Sequence, residues 1–240
     1  MTQVKLGDKN IPFIYQGNEV LYPNPIKDGL VLWYDFKAMK NSDVTKGVAK
    51  DLSINGNNGT LQNFVYTNES GYDDGLKLDG VDDVVYLTNP LFNQTTENQS
   101  WTFSISFKLI ENNPNLEFLI TGINLGIGIR YMDNKNKVLN YINNDDKAYL
   151  YSNEGVIQND FSVVTCSYDS KTKTVRIYIN DTLDSQKKIE DGIFPSGMGY
   201  NMNIGTRRND YIYDMKLYNR ALTDQEVQQN YQLEKERWGL

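Results

Sequence analysis

Histidine is absent from the 240-residue chain, and there is one cysteine, Cys166. That removes the commonest general base, the Ser/His and Cys/His nucleophile systems and histidine-based zinc or iron sites. The chemistry left belongs to carboxylates, amides and tyrosines. Retaining glycoside hydrolysis needs two carboxylates about 5–5.5 Å apart, which alternate positions on one strand can supply. The nearest acidic groupings are Glu190-Asp191, Asp145-Asp146 and Glu234-x-Glu236. The first two read as turns and the third as part of a terminal helix. No catalytic residue is assigned, and the chain is not expected to be an enzyme.

Two acidic loops suit a hard cation that takes oxygen ligands, with calcium the expected ion if one binds. One offers Asp51, Asn55 and Asn57; the other offers Asp79, Asp82 and Asp83. The same residue types build turns through side-chain to backbone bonds with no metal, so no cofactor is required. Sugar recognition needs aromatic faces and amides. The candidates are Asn124, Tyr141, Asn143, Asn144, Asp145 and Tyr149. Arg207-Arg208 reads as a solvated turn, or as a contact for an anionic polymer such as teichoic acid. Cys166 lies in an apolar run and reads as a small buried hydrophobe.

The formal net charge of −7 argues against nucleic acid or an anionic membrane as partner. With a single cysteine, no internal disulfide forms. No run approaches the roughly 20 apolar residues of a membrane span. Met1 to Val20 carries polar groups throughout and lacks the pattern of a signal peptide. The Asn-x-Ser/Thr sequences at Asn68, Asn93, Asn98 and Asn180 are therefore expected to go unglycosylated.

The elements that must position these residues are strands. Trp101, Phe103, Ile105, Phe107 and Leu109 alternate with Thr102, Ser104, Ser106 and Lys108, so the first set faces a core and the second faces away. Gly29 to Phe36 is almost continuously apolar, as a central strand covered on both sides would be. Firm strand pairs are expected at 118–122 with 125–131, and at 161–168 with 174–180. Shorter strands are expected at 138–142, 148–151 and 182–188. In the closing strand, Tyr211, Tyr213, Met215 and Leu217 fall on one face, and Ile212, Asp214, Lys216 and Tyr218 on the other. After a turn, Thr223 and Glu226 have the spacing of a capping box, and Leu222 and Val227 that of a hydrophobic staple. Trp238-Gly-Leu240 is an apolar end expected to dock on its own subunit or a neighbour. Many strands separated by turns, with one terminal helix, predict an all-β, two-sheet antiparallel sandwich.

Three segments resemble LamG-like jelly-roll domains of the concanavalin A-like lectin/glucanase group. They are the closing Tyr218-Asn-Arg-Ala-Leu222 with its capped helix, Gly75-Leu-Lys-Leu-Asp-Gly-Val-Asp-Asp-Val-Val-Tyr-Leu87, and the Asn/Gly loop Asp51 to Leu61. In the second, the resemblance implies a strand, a turn and a return strand forming a hairpin. It places the jelly roll at residues 28–240. Retaining glucanases of this group carry Glu-x-Asp-x-x-Glu or Glu-x-Asp-x-Glu, and neither string occurs here.

Residues 1–27 read as a separate hairpin arm with turns at Gly7-Asp8 and Gly17-Asn18, stiffened at its exit by Pro23 and Pro25. Ile14-Tyr-Gln-Gly-Asn18 resembles short repeats at the ends of structural proteins of phages of Gram-positive bacteria. A small hairpin cannot bury a core alone, so it packs on its own domain, a sister chain or a larger assembly. These resemblances imply a homo-oligomeric, non-enzymatic structural or adhesion protein of a phage virion. It would be made in the host cytoplasm, joined to other virion proteins through the arm, and able to bind host cell-wall glycan. The alternatives are a free carbohydrate-binding lectin module and a glycoside hydrolase with acids from separate strands.

Overall fold

The computed structural model describes the chain except residues 1–4, 8, 11–12, 17–18, 88–90, 92–97, 113–114, 116, 123–124, 143–148, 191–201, 206 and 239–240. Strands β1 (Lys5–Leu6) and β2 (Lys9–Asn10) form one two-stranded ribbon, and β3 (Ile14–Gln16) and β4 (Glu19–Tyr22) another. The body follows with β5 (Leu30–Asp35), β6 (Val48–Ala49), β7 (Gly59–Gln62), β8 (Gly71–Tyr72), β9 (Leu76–Lys77) and β10 (Val84–Leu87). Next come β11 (Trp101–Lys108), β12 (Glu117–Gly122), β13 (Leu125–Met132), β14 (Lys135–Ile142) and β15 (Leu150–Val156). The last elements are β16 (Phe161–Asp169), β17 (Thr174–Ile179), β18 (Thr182–Lys188), β19 (Met202–Ile204), β20 (Tyr211–Tyr218) and helix α1 (Asp224–Trp238).

The body is two antiparallel sheets packed face to face, the expected jelly-roll sandwich. One runs β18-β17-β16-β11-β20-β9-β8, with β5 also paired to β20. We call this the helix-side sheet. The other, the open-side sheet, runs β15-β14-β13-β12-β19-β10-β7-β6. Their inner faces share one apolar core. Trp101, Phe103, Ile105 and Phe107 have no exposure in it. Cys166 joins this core, and burial pushes its thiol far above the usual range.

The helix-side sheet is covered on its outer face too. Leu30, Trp33, Tyr178, Tyr218, Leu222 and Val227 make a second cluster. Helix α1 supplies its lid, so Thr102, Ser104 and Ser106, which were expected to face away from the core, do so yet are buried. Thr102 Oγ1 donates to the Arg220 carbonyl at 2.8 Å and accepts the Leu222 N–H at 3.0 Å. The capping box forms as the spacing predicts. The Thr223 N–H donates to Glu226 Oε2 at 2.9 Å and the Glu226 N–H to Thr223 Oγ1 at 3.3 Å.

Three expectations are corrected. The closing strand does not alternate cleanly. A bulge against Ser106/Phe107 puts Ile212 in the core with Met215 and Leu217, while Tyr213 turns outward against Phe161 and Trp238. One extra residue inverts the period on one side of it. Second, the segment from Gly75 to Leu87 is not a hairpin: β9 pairs with β8 and β20, and β10 with β7 and β19. The Asp-Gly-x-Asp-Asp turn instead carries the chain from one sheet to the other. Local alternation looks the same in a hairpin and in such an arch. Third, β5 is covered on both faces as expected, but β20 is its one strand neighbour among the described residues. Its other edge is closed by a loop, described below.

The arm makes its own ribbons and touches the body through Phe13 and Ile26. The Phe13 ring lies 5.3 Å from the Arg237 guanidinium, and the Ile26 N–H donates to Asn230 Oδ1 at 3.1 Å. Trp238 docks on its own domain, its ring 4.6 Å from that of Tyr213.

Candidate functional site

The Asp51 loop is organised around the backbone of β5. Asp51 Oδ1 accepts the Trp33 and Ser53 N–H groups, each at 2.9 Å. Its Oδ2 accepts the Ser53 hydroxyl at 2.7 Å and the Asn57 N–H at 2.8 Å. A carboxylate has about four acceptor sites, and here all are in use. Asn55 and Asn57 turn their amide N–H groups to the Val31 carbonyl at 3.0 and 3.1 Å. The Leu52 N–H donates to the Trp33 carbonyl at 2.8 Å. The loop therefore imitates a neighbouring strand and closes an edge that would otherwise be open. Its carboxylate has nothing left for an ion.

The second acidic turn differs. One carboxylate oxygen from each of Asp79, Asp82 and Asp83 lies within 4.8 Å of the others. Asp82 is exposed, Asp79 half-buried, and Asp83 is 1% exposed. Asp83 Oδ2 accepts the Asp79 N–H at 2.9 Å, whereas its Oδ1 is buried with no hydrogen-bond donor. Burial raises the Asp83 carboxyl above the usual range, and the charges of Asp79 and Asp82 add to this against the Asp79 N–H and Ser70 hydroxyl.

Of the sugar candidates, Asn124, Asn143, Asn144 and Asp145 lie outside the described residues. Tyr141 and Tyr149 come together, their rings 5.4 Å apart and edge to face at 62°. The registers place Tyr141 in a row missed by sequence reasoning. Thr60, Tyr86, Asn203, Thr121, Gly126 and Tyr141 are directly opposite one another, strand by strand, across β7, β10, β19, β12, β13 and β14. Opposed residues share a face. Thr60 is exposed, Gly126 buried, and the other four half-buried. The adjoining row, Leu61, Val85, Ile204, Ile120, Ile127, Asn140 and Leu150, points into the core. The outer row thus sets hydroxyls, an amide and tyrosines across the open-side sheet, with no carboxylate among them. No signal in the sequence could align six strands from scattered segments.

A polar groove of about 300 Å³ lies at the far end of β13 to β15, bordered by Asn112, Tyr131, Asn136, Glu154 and Gln158. Its groups are largely paired: Asn136 donates to Asn112 Oδ1 at 2.8 Å and Lys135 binds Glu154 at 2.6 Å. Arg208, expected on a solvated turn, is buried and ion-paired with Asp210, so it cannot meet a polymer; Arg207 stays exposed.

Besides Asp83, burial raises the carboxyls of Asp35 and Asp214 above the usual range, as a general acid's would be. Burial and then the Glu234 charge push Asp214 up to about 8, against the pull of Lys216. It is 1% exposed beneath α1, held by Lys216 and by the Trp33 indole N–H at 2.7 Å. A glycosidic oxygen has no path to it. Its neighbours Asp35 and Glu234 are equally buried and are paired with Arg237 and Lys216.

This two-sheet architecture, with a polar sheet face and no exposed acid pair in that row, defines a lectin-like jelly roll. Residues 79–228 match the laminin-G-type family model described as the concanavalin A-like lectin/glucanases superfamily, and the chain belongs to that family. No curated protein matches it in sequence. Among solved structures, it resembles a Trypanosoma rangeli sialidase in complex with 2,3-difluorosialic acid at 14% identity and TM-score 0.63, covering 87% of this chain and 33% of that one. It also resembles the binding domain of Paraclostridial Mosquitocidal Protein 1 at 17% identity and TM-score 0.63, covering 85% and 52%. Domain 4 of AbnA, an extracellular arabinanase from Geobacillus stearothermophilus solved with arabinotriose, is similar at 16% identity and TM-score 0.59, covering 85% and 99%. The chain spans a third to about half of the first structures it resembles. Among the described residues no helix is long and apolar enough to cross a membrane.

Proposed function

We propose that the chain is a non-catalytic glycan-binding module. The observation that carries this reading is the outer row from Thr60 to Tyr141, extended by the Tyr149 ring. Tyrosine faces stack on sugar rings, and hydroxyls and amides exchange hydrogen bonds with sugar hydroxyls. A row of this kind binds and does not cleave, because hydrolysis needs the paired acids it lacks. A shallow platform gives weak single-site affinity, and several copies on one particle raise it by avidity.

The finer reading is an oligomeric structural or adhesion protein of a phage virion, with the N-terminal arm on neighbouring subunits and the lectin-like body facing host cell-wall glycan. The arm supports it: Leu6, Ile14 and Leu21 are 75, 37 and 44% exposed, an apolar surface suited to a protein partner. The resemblance of Ile14 to Asn18 to phage structural repeats points the same way.

The experiment is binding of labelled protein to Gram-positive cells and their extracted wall polymers, with Tyr86→Ala and Tyr141→Ala beside the wild type. Saturable binding weakened by both substitutions is expected, with no release of reducing sugar. Sugar release abolished by changing one Asp or Glu would replace the reading with a hydrolase. Silence across cells and polymers, even for an oligomer, would remove the glycan. Electron microscopy of particles lacking this chain addresses the virion: missing density is expected, and unchanged particles would refute that part.

A further inference from the structure

We propose that the outer face of the helix-side sheet carries a second glycan site, which takes acidic sugars on an aromatic row edged by Lys37, Lys77 and Lys108. The inference extends the glycan reading to another face and does not rest on the Thr60 to Tyr141 row. Lys77, Tyr211, Lys108 and Phe161 are directly opposite one another across β9, β20, β11 and β16. They therefore share a face, while Ile212 and Phe107 beside them enter the core. Under α1 this outer face is buried at Thr102, Ser104 and Ser106; the row itself is half-buried.

The rings form one surface. Tyr211 and Tyr213 stack at 19° with centroids 6.4 Å apart, and the Tyr213 ring lies 5.4 Å from Phe161 and 4.6 Å from Trp238. The bulge in β20 brings Tyr213 to this face, since a bulge re-aims the side chains beside it. Gly75 makes room for the ring: a Cβ there would meet it at 2.7 Å. Asp73 accepts the Tyr211 hydroxyl at 3.0 Å and fixes that ring too. Rings held in this way meet the C–H face of a sugar with little ordering left to pay at binding.

The second observation is charge. Lys37 Nζ lies 4.0 Å from the Trp238 ring centroid and Lys108 Nζ 5.7 Å from that of Tyr211, while Lys77 Nζ donates to the Asn68 carbonyl at 2.5 Å. Among the described residues none of these three ammonium groups is ion-paired, whereas those of Lys135, Lys137 and Lys216 are. They outnumber the two acids at the patch, Asp73 and Asp74, on a chain whose formal net charge is −7. A locally positive patch on an acidic protein selects an anionic ligand. The chemistry that fits is a sugar or polyol bearing a carboxylate or a phosphate, with its carbon skeleton on the tyrosines and its anion against the lysines. The overall negative charge disfavours a long polyanion such as nucleic acid, so a short acidic chain fits best.

The test is a tryptophan-fluorescence titration of the full chain with three short oligomers of equal length: a galacturonate oligosaccharide, its neutral galactose counterpart and a glycerol phosphate oligomer. Trp33 and Trp101 have no exposure, so Trp238 reports the patch. A saturable change with an acidic oligomer is expected, about tenfold tighter than with the neutral one and weakened by salt. Comparing the two acidic oligomers tells carboxylate from phosphate as the preferred anion. Lys77→Gln combined with Lys108→Gln should weaken binding roughly tenfold at an unchanged melting temperature, since charge-assisted contacts are lost. Tyr211→Ala should weaken it as well. Tyr86→Ala and Tyr141→Ala should leave it unchanged, which separates this site from the open-side row. No saturable change, equal binding of the neutral oligomer, affinity untouched by the lysine substitutions, or equally tight binding of an oligonucleotide of the same charge would overturn the proposal.

Discussion

Lys216 Nζ lies 2.7 Å from Glu234 Oε1, joining the closing strand to the terminal helix through side chains that are 1% and 2% exposed. Around this contact sit Asp214, which also takes Lys216, and Arg237, which takes Asp35. Three carboxyl groups therefore share two cations under α1. Burial works against the Lys216 ammonium, yet Asp214 and Glu234 hold its pKa above the usual range. The helix is fastened to the sheet by charge as well as by Leu222, Val227 and Trp33.

Lys216→Met should cost about 3–5 kcal/mol, because it leaves the buried Glu234 carboxylate without its cation. Urea denaturation followed by tryptophan fluorescence measures it. Stability equal to wild type would mean that water reaches this network.

Stability should fall with rising pH across a window set by Asp214. The folded carboxyl is raised to about 8 by burial and Glu234, so from about pH 4 upward the unfolded chain has lost a proton that the folded chain keeps. This contribution is complete below the unfolded value and is lost as pH rises through 8. Denaturation at pH 5, 7 and 9 should show a downward slope that Asp214→Asn flattens.

The cap titrates in the opposite direction. Arg220 holds the Glu226 carboxyl down, to about 2, despite some burial. Its stabilisation is present above the unfolded value and disappears as pH falls through 2. Thr223→Ala, which removes the hydroxyl half of the box, should cost about 0.5–2 kcal/mol. Helical ellipticity and thermal melts report it.

Asn140 has no exposure, lies in an otherwise apolar inward row, and has neither amide atom hydrogen-bonded. Asn140→Leu should therefore stabilise the fold by about 1–3 kcal/mol, the penalty recovered from an unpaired polar group. A lower melting temperature would show that a buried water satisfies the amide.

Much of the sandwich was legible because its strands obey simple periods. Trp101 to Leu109 alternates and becomes a core strand, and Thr223 and Glu226 have the spacing of a cap and form one. Where a residue is added or a partner is distant, that legibility ends. The bulge beside Tyr213 reverses which side chains enter the core, and nothing local marks it. Glu234 and Arg237 read as an ordinary charged helix end, but the sheet beneath supplies Lys216 and Asp35 and makes them interior. The two acidic loops looked alike as strings of Asp and Asn; the Trp33 N–H of β5 and donors from the loop's own Ser53 and Asn57 occupy one, while one oxygen of Asp83 in the other lacks any.

The sequence by itself determined the class of fold, the absence of histidine chemistry and the capped final helix, since composition, period and short-range spacing act within a few residues. Tertiary structure alone decided which sheet each strand joins, which acids are neutralised and which side chains share the Thr60 to Tyr141 row. Those depend on pairings between segments up to more than a hundred residues apart, and register and burial exist only once the two sheets have closed on each other.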